Sequence, residues 1–343
     1  MRPPHISRWD LDKTYLRTEF ATMRDLVRTA FERADEKRTN PGAATLLREL
    51  AHCDVSIHIL SGSPEQMRKK LEEKLKLDGI KWDSFTLKPN LQNMLRLRFR
   101  ALRDQLGYKL PALLSARTVE GEKLAGVKES LFGDDAEADA FVYSLYGDIM
   151  AGRAGEELVQ QVCERGRVYE DVIEDVIRCV RLVKPEPVVE RIFIHLEQQS
   201  APRDFHVLGT RVVPFYNYLQ TAYVLHEDGR LPPESLLRVA GEMVTMHRFD
   251  GDALARSYAD VAKRGHLAGT KLDAIAAALP AYVKEAPAPA AQEVARMVEE
   301  LPEHADLARS RHRPVAEEPM PDYLELVGRH NPRHKKKAAR KST

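Results

Sequence analysis

Cysteine is scarce in this chain, with three residues in 343. Cys53, Cys163 and Cys179 form no close pair and leave at least one thiol over. That argues against a disulfide-stapled secreted domain and against a zinc site built on thiolates. Excess charge of one sign is missing too. The 53 basic side chains stand against 52 acidic ones, which excludes a chain-wide polyanion binder and confines any such role to a local segment. Nowhere do about 18 apolar residues run uninterrupted, so no membrane-spanning helix is predicted. The opening Met-Arg-Pro-Pro-His reaches Asp10 without the apolar stretch of a secretory signal, and the expected setting is a reducing cytoplasm.

What the chain does have is length and apolar content. At 343 residues and 43% hydrophobic, it can bury a substantial core, and roughly 150 residues per domain suggests two domains. Residues 1–150 alternate short apolar runs with helical stretches, which predicts an α/β unit with a mostly parallel sheet and flanking helices. A short first strand is expected near Ile6 to Trp9, then helix from about Glu19 to Leu50, broken by Asn40-Pro41-Gly42. A second strand covers Val55 to Leu60. Ser63-Pro64-Glu65-Gln66 then predicts a capped helix running to about Leu77. The 95–100 run fits strand and helix alike, with a lean towards helix. Residues 151–283 have helical spacing almost throughout, as in Val168, Val172, Val176 and Val180, and are expected to form an all-helical C-terminal domain. Residues 284–343 look like a Pro/Ala-rich linker around one short helix, ending in a basic, disordered tail.

The chemistry is carried by four pieces in order. Asp10-Leu-Asp12-Lys-Thr14 follows the first strand, Ser61 closes the second, Lys109 precedes a helix, and Asp134-Asp135 with Asp139 follow a further short strand. A phosphomonoester dianion repels an anionic nucleophile, so an aspartate can attack phosphorus only where a cation and fixed donors neutralise the charge. Asp10 would attack and form an aspartyl-phosphate. Asp12 would protonate the departing oxygen and then deprotonate water, while its backbone carbonyl could ligate Mg²⁺. Thr14 would steady the turn or cap a helix. Ser61 would donate to a phosphate oxygen at the carboxyl end of its strand, and Lys109 would supply fixed positive charge. Asp134 and Asp139 offer the hard oxygens Mg²⁺ prefers, and Asp135 would either ligate the metal or orient Asp134.

These motifs resemble those of the haloacid dehalogenase (HAD) superfamily, over residues 1–150 only. The resemblance implies a Rossmann-like parallel sheet, Mg²⁺ dependence and, through the second aspartate, a phosphatase. A finer resemblance is to the phosphatidate phosphatase catalytic-domain group. It rests on Pro41-Gly42 with Leu46-Leu-Arg-Glu-Leu50, Ile57-His-Ile-Leu-Ser-Gly-Ser-Pro64 and Phe85-Thr-Leu-Lys-Pro89. The implied substrate is a phosphorylated molecule, with a lipid phosphate as the leading choice. Arg8 departs from the pattern in a normally apolar strand, and Asp135 stands where a small residue is commoner.

Competing readings exist for most of these groups. Ser63 is the simpler helix cap beside Ser61, and Lys123 and Lys128 lie nearer the acidic cluster than Lys109. Lys109 is preferred because a helix must separate the lysine from the following strand. The charged run from Arg68 to Lys76 reads as a solvated helix face, and Arg96, Arg98, Arg100 and Arg103 could favour an anionic surface. The basic tail could contact anionic lipid or nucleic acid. His195, His206 and His247 lack ligand spacing, and Asp250-Gly-Asp252 is too short for a calcium loop. Two carboxylates two residues apart cannot flank a sugar from opposite sides, which disfavours a glycosidase. The remaining alternative is a weakly active HAD-fold scaffold whose helical part contacts an unknown protein partner.

Overall fold

Residues His5–Trp9 are buried throughout, the mark of a central strand covered on both faces, and they form β1. The computed structural model describes residues 4–16, 39–88, 102–315 and 319–329. The front of the helix expected from residue 19, the 95–100 run and the basic tail beyond Arg329 lie outside them. The other strands are β2 (Val55–Pro64), β3 (Ser84–Lys88), β4 (Lys128–Asp134), β5 (Val189–His195) and β6 (Val212–Phe215). They make one sheet in the order β3-β2-β1-β4-β5-β6, and every neighbouring pair is parallel. The fold is therefore α/β and Rossmann-like.

Two apolar cores cover the two faces. Phe132 and Phe193 enter the core that holds Leu46, Tyr218 and Leu236, while Leu131, Ile192 and Ile194 enter the one that holds Leu110, Tyr143 and Tyr323. That alternation is the period of two expected of a strand. Trp9, Phe132 and Phe193 sit directly opposite one another on β1, β4 and β5. Their rings stack at centroid separations of 3.9 Å and 4.7 Å, so the register just before the strand ends is locked by aromatic contact.

The sheet also corrects the sequence reading. Residues 151–283 are not all helical, because β5 and β6 extend the sheet that β1–β4 begin. The run Ile192-Phe-Ile194 is buried on both faces, and such a run carries no alternation to separate it from a buried helix. Pro214 concealed β6. Its strand lies at the sheet edge, where a missing N–H is tolerated. Residues 284–315 are more helical than a linker: Ala288–Glu300 packs into the core through Val294, Met297 and Val298, and Ala305–Arg311 follows. Pro287 and Pro289 fall at the first helix's start, where proline is accommodated. Ser63 does not cap a helix. β2 continues to Pro64, and the α-helix begins at Arg68 and ends at Leu77 as expected. Among the described residues no helix is long and apolar enough to cross a membrane.

Arg8, anomalous in the sequence, has a partner. Its Nε donates to Glu129 Oε2 at 2.5 Å, while Arg117 lies 3.3 Å from Oε1 and the Tyr146 hydroxyl also donates there. Burial acts to raise the Glu129 carboxyl, but Arg8 and Arg117 outweigh it and hold the group below the ordinary carboxylate range. Its stabilisation is thus complete above the unfolded-state value and is lost as pH falls through the lower folded value. Glu129→Gln should cost about 3–5 kcal/mol in denaturant unfolding, because two buried guanidinium groups lose their counter-charge. The variant should also show a flatter acid limb in its stability profile.

Candidate metal centre

The strand order reverses direction between β1 and β4, and the chain leaves the carboxyl ends of these neighbours towards opposite sides of the sheet. Ligand crevices of open α/β sheets form at such a switch point. Asp10 is the first residue after β1 and its N–H donates to the Phe132 carbonyl at 3.0 Å. Asp134 is the last residue of β4. Register alone therefore brings together two carboxylates 124 residues apart in sequence.

Two more arrive from the turn after β4. Asp134 Oδ1 accepts from the N–H groups of Ala136 at 2.6 Å and Glu137 at 3.0 Å, which wraps the chain back over the strand end. Asp139 opens the helix Asp139–Met150, and its Oδ2 accepts from the Asp134 N–H at 3.2 Å. Ligand atoms of Asp10, Asp134, Glu137 and Asp139 all lie within 4.8 Å of one another. Gly133 makes the approach possible. A Cβ built there would lie 2.4 Å from Asp139 Oδ2.

Lys109, the first residue of the helix Lys109–Glu120, delivers one ammonium into this cluster and is fully buried. Its Nζ lies 2.5 Å from Asp139 Oδ1, 3.1 Å from Glu137 Oε2 and 3.4 Å from Asp10 Oδ1. Burial opposes the charge, but Asp10, Asp139 and Glu137 together hold its pKa well above the ordinary lysine value. One cation does not balance four carboxylates. Burial, followed by the neighbouring carboxylates, pushes Asp10 and Asp134 well above the usual carboxylate range against the pull of Lys109, and Glu137 rises to about 6.

The expected residues divide accordingly. Asp10, Lys109, Asp134 and Asp139 meet in the cluster, and the Thr14 hydroxyl reaches Asp10 Oδ2 at 3.4 Å. The Asp12 carboxylate lies outside it, and Oδ2 accepts from Ser61 at 3.1 Å and Ser63 at 2.6 Å. Ser61 and Ser63, two residues apart on β2, therefore act together on one carboxylate. Asp135 does not join the cluster. Its carboxylate accepts from the N–H groups of Gln198 at 2.8 Å and Ser200 at 3.0 Å and pins the loop after β5. Lys128 is spent on the Pro187 carbonyl. Glu137 was missed by sequence reasoning. Its signal was the spacing of three from Asp134, one turn of chain, which returns it to the strand end.

The donor set fits a hard cation. All four groups offer carboxylate oxygens, and Asp10 Oδ1 and Asp134 Oδ2 are buried oxygens with no hydrogen-bond partner. Asp10, Asp134, Glu137 and Asp139 are the side chains that would hold it. Comparison with protein-family models, curated proteins and solved structures found no match for this chain.

Adding Mg²⁺ should raise the melting temperature, by mass action on a site that exists only in the folded chain. Asp134→Asn should abolish that shift and melt higher than the metal-free parent, since it removes a buried like charge. Gly133→Ala should destabilise by about 1–3 kcal/mol through crowding of Asp139, and weaken the Mg²⁺ response in a thermal-shift titration.

Proposed function

We propose that the protein is a Mg²⁺-dependent phosphomonoester hydrolase of the HAD type that works through an aspartyl-phosphate at Asp10. The observation that carries this reading is the meeting of Asp10, Lys109, Asp134 and Asp139 at one switch point, in the chain order of the superfamily motifs.

Asp10, Asp134, Glu137 and Asp139 would hold the metal, which would supply Lewis-acid neutralisation of the phosphoryl oxygens. Asp10 attacks phosphorus through a carboxylate oxygen as the bond to the leaving oxygen breaks. Lys109 holds positive charge against Asp10 and the phosphoryl group. Asp12, half-buried and steered by Ser61 and Ser63, gives its proton to the leaving oxygen. It then takes a proton from the water that attacks phosphorus, which restores the Asp10 carboxylate and releases phosphate. In this reading the Ser61 hydroxyl, which donates to Asp12, turns to a phosphate oxygen when substrate enters.

The strand order also occurs in dinucleotide-binding folds, which place a Gly-rich turn and a helix N-terminus against pyrophosphate after the first strand. Here that turn is Asp10-Leu-Asp-Lys-Thr14, and its carboxylates would repel such a ligand. For the substrate we favour a lipid phosphate of the phosphatidate type, whose leaving group is a lipid alcohol, on the resemblance in residues 41–50, 57–64 and 85–89.

Turnover of an aryl phosphate with Mg²⁺ is expected, abolished by chelator and reduced to background by Asp10→Asn. Asp12→Asn should lower kcat by about 10²–10⁴-fold with an alkyl leaving group and less with a nitrophenolate, which needs no proton. Phosphatidate in mixed micelles should be cleaved faster than a soluble sugar phosphate. No turnover across a broad phosphate panel would favour the scaffold reading instead.

A further inference from the structure

Lys13, between Asp12 and Thr14, has φ of 61°, a left-handed conformation that costs free energy for any residue with a Cβ. Such a residue persists only where its surroundings over-determine it. Around Lys13 they do. Two consecutive carbonyls, those of Lys13 and Thr14, are gripped by side chains from three separate parts of the chain. Asn40 Nδ2 donates to the Lys13 carbonyl at 2.9 Å and to the Thr14 carbonyl at 2.6 Å. The Tyr218 hydroxyl donates to the Thr14 carbonyl at 2.8 Å. His195 Nδ1 lies 3.0 Å from the Lys13 carbonyl, which fixes the ring proton on that nitrogen.

We infer that Asn40, His195 and Tyr218 are positioning residues: they hold the turn from Asp10 to Thr14 in the strained form that sets Asp12 beside Asp10. The catalytic half of this inference rests on the phosphatase reading; the clamp itself does not. No side-chain hydrogen bond or ion pair joins any of the three to the four carboxylates. Asn40 is tied in by its own N–H, which donates to the Tyr15 carbonyl at 2.9 Å, and it leads into the helix Ala43–His52. His195 ends β5 and is Asp134's partner across the sheet. Tyr218 opens the helix Tyr218–Glu227, and its ring lies 5.5 Å from Trp9 and 4.8 Å from Phe215. The turn closes on itself as well, with the N–H groups of Tyr15 and Leu16 both donating to the Leu11 carbonyl.

Tyr218→Phe deletes one hydroxyl and keeps the ring packing, and Asn40→Asp turns a donor towards the two carbonyls into an acceptor. Hydrogen exchange of residues 11–16 should quicken by about tenfold or more in both, ahead of any global loosening. Lys13→Gly removes the strain that the clamp opposes, so in that background the Tyr218→Phe effect should shrink to within about threefold. In turnover, Tyr218→Phe should lower kcat by about 10–100-fold with KM little changed, as expected when a catalytic group is misplaced rather than substrate binding lost. Unaltered exchange in Tyr218→Phe, or an equal effect with glycine at 13, overturns the clamp. Faster exchange with unchanged kcat overturns the positioning role. A parent protein without turnover sinks the phosphatase reading, while exchange still decides the clamp.

Discussion

A lysine ammonium shut away from solvent is the constraint around which the carboxyl end of this sheet is arranged. Lys109 cannot be desolvated without anionic partners, and Asp10, Glu137 and Asp139 cannot crowd together without a cation. Each half makes the other tolerable, yet the carboxylates outnumber the ammonium four to one. Crowding carboxylates inside a protein is expensive, and a group of them gathered at a strand switch point could hold a metal ion.

Backbone register turns that electrostatic requirement into a fixed geometry. Trp9, Phe132 and Phe193 stack across three strands one residue before Asp10, Gly133 and Ile194, so the apolar core fixes their register close to the strand ends. The absence of a side chain at Gly133 then lets Asp139 reach over β4. A slip of one residue in β4 would send Asp134 to the opposite face and empty the cluster. Packing and chemistry are thus specified by the same few positions.

Much of this was legible in the sequence where local chemistry is strong. Asp10, Lys109, Asp134 and Asp139 could be named because each stands at the end of an apolar run or the start of a helix, where sheet topology gathers residues. Glu137 was passed over because one glutamate in an acidic turn looks like a solvated group until the turn is known to fold back. Asp135 was misjudged for the converse reason: adjacent carboxylates at a strand end point in different directions, and Asp135 faces the loop after β5. β5 and β6 were hidden by burial on both faces and by Pro214, and the helix at Ala288–Glu300 by prolines that in fact begin it. His195 and Tyr218 act through backbone carbonyls of residues some 180 and 200 positions earlier, a relation no local pattern encodes.

The continuation of the sheet through β5 bears on how such a protein can be divided. Cut after residue 150, the chain would keep all four carboxylates and Lys109 and would look complete by motif. It would nevertheless lose Phe193 from the aromatic stack and the ring and hydroxyl that grip the first turn, and β4 would become a bare edge, open to pairing with another chain. The first half of the molecule is accordingly not a portable module. Its second half is built into the floor on which the carboxylate cluster stands.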